Sequence, residues 1–375
     1  MRTTSVLVVG WLLGLCVLGA VSITQAADLG EATYRRLNAA LVEQHVIPRY
    51  GRLAAATDRL AAAARAFCAG PDARGLDSLR AAHDEGQGAW QGIQHVRFGP
   101  IELFMRASRF AFWPDPRNTT GRQLADVIAG GRPDAITVEA FTTGSVAVQG
   151  FPALERLLFD EGAGDALLAG DPQAAFRCEV LQAIGDNMAT MAADVVREWK
   201  GGELAYAELM ANPGANNPYY RDHREVTVDL FQSLQGGLEM LSDLKLAPPL
   251  GESAERARPR LAESWRSGRA LENIRLNLEA AQALYQGEDG YGMDDVVREA
   301  AGGAELADLL ERAFAQTLAT ARSIEGPLEA AITDPARRPA VERLALEARA
   351  LKQIVNERLA SALGIPIGFN AMDGD

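Results

Sequence analysis

The chain has 375 residues, of which 48% are hydrophobic, 23% charged and 6% aromatic, and 37 Lys+Arg against 50 Asp+Glu leave a net charge of −13. This apolar fraction excludes intrinsic disorder, and the length allows two or three packed domains. The acidic balance excludes nucleic acid as the principal ligand, because phosphate binding needs a basic surface.

Arg2, an apolar run from Val6 to Val21, and the small residues Thr24 and Ala26 predict a secretory signal over residues 1–26, cleaved near Ala26. The run is shorter than the roughly 20 residues that span a bilayer, which disfavours an uncleaved anchor. Leu13-Gly14-Leu15-Cys16 departs from a lipoprotein box at Leu15, where a small residue is required. Cleavage leaves two cysteines, Cys68 and Cys178. They are either two buried thiols or one disulfide, and an exported chain favours the disulfide. Such a bridge closes a loop of about 110 residues, which the chain-entropy argument values at about 4–5 kcal/mol.

The rest of the chain is expected to be helical. Leu181, Ile184, Met188, Met191 and Val195 form an apolar stripe leading to Trp199, and Leu230, Leu234, Leu238 and Leu241 form a second. Leu310, Phe314, Leu318 and Ala321 make a third, and Leu344, Ala348, Leu351, Val355 and Leu359 a fourth. Steps of three and four are the period of a helix with one buried face, and alternating β-branched runs are few. The densest turn signal, Asn212-Pro213-Gly214-Ala215-Asn216-Asn217-Pro218, predicts a boundary between two helical-bundle domains, 27–210 and 218–375.

Familiar catalytic signatures are missing. The four histidines, His45, His83, His95 and His223, form no HExxH, and there is no CxxC, GxSxG, P-loop or GxGxxG. Each histidine therefore reads first as a surface or satisfied core residue. The acidic stretch Gly287–Asp295 lacks EF-hand spacing and reads as a solvated loop, with weak calcium binding as the alternative. Metal chemistry would need carboxylates and histidines brought together by folding, as in helical bundles that hold iron.

Several unusual segments together resemble the imelysin family of exported bacterial proteins. They are Ala66-Phe67-Cys68, Trp90-Gln91-Gly92-Ile93-Gln94 running into Arg97-Phe98-Gly99-Pro100, Phe112-Trp113-Pro114-Asp115, Gly150-Phe151-Pro152-Ala153-Leu154-Glu155, Arg177-Cys178, and Gly368-Phe369-Asn370 with Asp373-Gly374-Asp375. The resemblance covers roughly residues 30 to 375. It implies an all-α fold of two helical-bundle domains, a functional cleft at their interface, location in the periplasm or cell envelope, and a link to iron acquisition. The family is named for a proposed peptidase activity, and its GxHxxE motif falls here on Gly150, Pro152 and Glu155, with proline where histidine belongs. A histidine and a glutamate three apart share one helical face and can share a metal or a proton, whereas proline offers no ligand. Proline can instead start the helix, which would put Glu155 in its first turn, favoured there by the helix dipole.

The expected function is a non-catalytic binding component associated with iron uptake. Its ligand site would be drawn from Glu155, Gly150, Arg97, Asp115, Trp113, Asn370 and Asp373, with no catalytic residue. Glu155 is the metal-ligand candidate and iron the cofactor candidate. The expected partner is a metal ion or an iron-containing ligand. The rival readings are a scaffold that docks a periplasmic or outer-membrane protein, and a peptidase of unusual type.

Overall fold

The computed structural model describes residues 29–365, and every regular element within them is helical. The signal segment and the stretch containing Asn370 and Asp373 lie outside the described residues. The principal helices are α1 (Glu31–Ala40), α2 (Ile47–Ala69), α3 (Ala73–Gln91), α4 (Thr119–Gly130), α5 (Gly150–Phe159), α6 (Pro172–Lys200), α7 (His223–Glu239), α8 (Ala270–Gln286), α9 (Ala304–Ser323) and α10 (Arg338–Ile354). Short helical turns join them. Among the described residues no helix is long and apolar enough to cross a membrane.

Local chemistry sets where several helices start. Asp72, Asp171 and Asp222 precede α3, α6 and α7, and each side chain accepts the N–H three residues on. These carboxylates satisfy donors that a first helical turn leaves without partners. All four apolar stripes read from the sequence are buried. α2 lies along α6 and α3, and α5 packs on α3 and α6. In the later part of the chain α7 packs on α8 and α10, and α9 packs on both of those. α1, although first in the chain, packs on α7 of the later group. Asn38 donates to the His223 carbonyl at 2.7 Å and accepts from Thr227 Oγ1 at 2.7 Å, and Tyr34 donates to the Leu363 carbonyl at 3.0 Å.

Three π-turns interrupt helices among the described residues, and two of them turn a titratable side chain inward. Leu41–Val46, between α1 and α2, carries His45, and Met240–Leu246, after α7, carries Lys245. Both reach the end of α3 or the residues just beyond it. His45 Nε2 lies 2.8 Å from His95 Nε2, and Lys245 Nζ lies 2.6 Å from Gln91 Oε1. An i→i+5 turn holds one residue more than an α-turn, so it re-aims the side chains it contains.

The solvated-loop reading of Gly287–Asp295 does not hold for Glu288. Its Oε1 lies 3.0 Å from His45 Nδ1 and accepts from Arg49 Nε at 2.7 Å. Burial lowers His45 to about 4, against the opposing pull of Glu288. The contact to His45, then that to Arg49, holds the Glu288 carboxyl at about 2. His95 is also held well below the usual imidazole range by burial, and next by His45.

Two consequences can be measured. Cys68 and Cys178 are bridged, with Cα atoms 5.5 Å apart, tying the end of α2 to α6. Replacing both by serine lowers unfolding stability by about 4–5 kcal/mol, read by denaturant titration. His45 is neutral when folded and protonates at its ordinary value when unfolded, so the unfolded chain binds more protons between pH 6.5 and 4. Stability therefore falls as pH drops through that window, by about 3 kcal/mol for His45 alone, and His45→Gln flattens the slope.

Candidate functional site

A cavity of about 830 Å³ opens between residues 112–161 and residues 244–266. Rings and prolines make its apolar surface: Phe112, Trp113, Pro114, Pro152, Pro248 and Trp265. Arg156, Arg260 and Arg266 bring guanidiniums, and Asp115, Glu155, Asp160 and Glu161 bring carboxylates. Most of these charges are already engaged. Asp160 accepts from Arg156 at 3.2 Å and also pairs with Arg266. Arg260 has no carboxylate partner among the described residues, and its guanidinium lies 5.3 Å from the centre of the Trp265 ring.

Asp115 is committed to the backbone. Its two oxygens accept the Thr119 and Thr120 N–H groups at 2.8 Å each, which caps α4. Burial pushes its carboxyl up, but these hydrogen bonds outweigh that and leave it below the usual range.

α5 begins at Gly150, two residues before the proline. This corrects the expectation for Glu155: it falls in the second turn, away from the helix start, and the dipole argument does not apply. Glu155 is buried, and its Oε1 accepts the Ser267 N–H at 3.0 Å and the Ser267 hydroxyl at 2.8 Å. Gly150 has φ +76°, and a Cβ there would collide with the carbonyl oxygens of Arg109 and Phe110. Its role is to let the backbone pass rather than to meet a ligand. Of the residues singled out from sequence, Trp113, Asp115 and Glu155 line the cavity together, while Arg97 is exposed and lines none of it.

Behind Trp113 and Glu155 is a smaller cavity of about 30 Å³, also lined by Gln87, Pro152, Glu263 and Ser264. Glu263 and Lys245 are buried and paired at 2.7 Å. Periodicity could not reveal this network, since Glu263 belongs to an irregular segment and Lys245 to a π-turn. The only available signal was a charged residue, Lys245, between two apolar leucines.

The residues present do not fit the metal that the GxHxxE resemblance implies. Position 152 supplies no ligand, Glu155 is held by Ser267, and among the described residues no three His, Cys, Asp or Glu side chains converge. Glu155 therefore acts as an anchor for the segment carrying Ser267 and Trp265. Glu155→Ala leaves a half-buried N–H without an acceptor and costs about 1–3 kcal/mol. Glu155→Gln keeps a carbonyl oxygen and costs less. Denaturant titration of the two variants checks that order.

Known proteins agree with this fold. A protein named "Iron-regulated protein A", from Synechococcus elongatus, is 24% identical over 311 residues, covering 80% of this chain and 78% of its own. The crystal structure of an imelysin-like protein from Psychrobacter arcticum superposes with a TM-score of 0.74 at 22% identity, covering 92% of this chain and 99% of that one. A structure from Parabacteroides distasonis, named as an iron-regulated protein A precursor, gives a TM-score of 0.70 at 18% identity over 88% of this chain and 95% of its own. The profile of the family described as imelysin, Peptidase_M75, matches residues 46–355. With most of its length matched and its helical architecture shared, the chain belongs to the imelysin family.

Proposed function

We propose that this chain is an exported, non-catalytic binding component associated with iron uptake, and that it holds a small iron chelate rather than a bare ion. The observation that carries this reading is the cavity of about 830 Å³ lined by Trp113, Trp265 and several prolines. Its volume lies in the range of small-molecule sites, which are mostly apolar with a few placed polar groups. An ion needs instead a tight set of converging donors, and the side chains around Glu155 are already spent on one another.

Charge selects the ligand class. Arg156 and Arg266 share the Asp160 carboxylate, so Arg260, 5.3 Å from the Trp265 ring centre, is the guanidinium left to meet an acid. A polycarboxylate chelate presents carboxylates to Arg260 and a compact body to the rings. The proline at position 152 and the engaged Glu155 support a role without catalysis. In this reading the cavity is the cleft between two helical domains, 27–210 and 218–375, with α1 reaching across.

Trp113 and Trp265 provide the readout. Ferric citrate is expected to quench tryptophan fluorescence saturably, whereas ferrous or zinc ions alone do not. Arg260→Ala is expected to weaken binding about 10- to 100-fold, as for loss of one charged hydrogen bond. Equal binding of the bare ions, no response to ferric citrate or haem, or affinity unchanged in Arg260→Ala and Trp265→Ala would overturn the proposal.

A further inference from the structure

We propose that Lys245 is a built-in cation: its ammonium occupies, from within the chain, the oxygen-lined position beside Glu155, and so makes this site metal-independent. Nζ has three acceptors within hydrogen-bond distance, Gln91 Oε1 at 2.6 Å, Glu263 Oε2 at 2.7 Å and Asn277 Oδ1 at 2.6 Å. An ammonium has three N–H groups and no acceptor, so this set saturates it. The acceptors are held in turn. Gln91 Nε2 donates to Glu263 Oε1 at 3.2 Å, Asn273 Nδ2 to Glu263 Oε2 at 3.2 Å, and Asn277 Nδ2 to Gln91 Oε1 at 3.0 Å.

Without the lysine, one carboxylate and two amide oxygens would converge on an empty centre. That is a hard-oxygen set of the kind that suits Mn(II) or Mg(II). With the lysine, a metal on Glu263 would sit against a fixed positive charge sharing the same carboxylate. Glu263, the partner of the built-in charge, also lines the small cavity with Pro152 and Glu155, where the motif carries proline in place of histidine. The ammonium further lies 6.0 Å from the Trp113 ring centre, which joins it to the wall of the larger cavity.

The inference does not rest on the cavity's ligand, because no iron compound enters its test. Loss of chelate binding would remove the proposed function and leave Lys245 unaffected. The test uses the full chain, elemental analysis after incubation with Mn(II) or Zn(II) and desalting, and thermal melting with Mn(II) or methylammonium. The unsubstituted protein is expected to retain no stoichiometric metal and to melt unchanged. Lys245→Ala leaves a buried carboxylate unpaired and is expected to melt roughly 5–10 °C lower. Millimolar Mn(II) or methylammonium then restores part of the loss, and adding Glu263→Gln abolishes that rescue.

Stoichiometric Mn(II) or Zn(II) on the unsubstituted chain, lost in Glu263→Gln, would overturn the proposal. So would a Lys245→Ala protein that melts normally or responds to no cation. Should Lys245→Ala fail to fold, Lys245→Met with Glu263→Gln carries no buried charge and is expected to fold. If it too fails, the charge argument is wrong.

Discussion

A buried ammonium must be surrounded by acceptors before the helices around it can close. Lys245 imposes that condition here. Its partners come from the end of α3, from the segment after Pro259 and from α8, so satisfying one charge draws together parts of the chain more than 150 residues apart. An unpaired ion in this position would cost several kcal/mol. Apolar burial supplies most of the driving force for folding but is indifferent to register. The polar network is directional, and it fixes how residues 244–266 sit against α3 and α5.

The cavity follows from that placement. Trp113 is backed by the ammonium, and Glu155 reaches from α5 to hold the Ser267 backbone, which positions Trp265 and Arg266 on the facing wall. Three of the four acidic residues lining the opening have an assigned partner: Asp115 the start of α4, Asp160 two arginines, Glu155 a serine. Carboxylates engaged in this way stabilise the frame and are not free for an ion. The remaining surface is ring and proline, with Arg260 the lining guanidinium that has no carboxylate partner among the described residues.

Two of the π-turns show how little backbone change is needed to build this interior. One extra residue per turn aims His45 at His95 in one case and Lys245 at Gln91 in the other. The first contact pairs two neutral imidazoles, stabilised by keeping protons out. The second sets an ammonium on an amide oxygen, beside the Glu263 carboxylate that balances its charge. Burial disfavours the charged form in both; it leaves His45 neutral, while at Lys245 the Glu263 carboxylate pulls against it.

The sequence by itself determined the helical class, because a 3.6-residue apolar period needs no knowledge of partners: Leu310, Phe314, Leu318 and Ala321 face inward wherever the helix packs. It also made the Cys68–Cys178 bridge the favoured reading, since the two cysteines outside the expected signal segment have one way to pair with each other. Trp113 and Asp115 stood out through an unusual local composition and Glu155 through its motif resemblance, and all three line one cavity. The tertiary structure decided what those residues do. Glu155 takes its role from Ser267, 112 positions away, and no local pattern encodes that contact. The same holds for Glu263, Lys245 and the histidine pair, whose meaning depends on which polar groups burial places opposite them. Periodicity reports which face of a helix is hidden, but only the packed chain determines which charges share that hidden space.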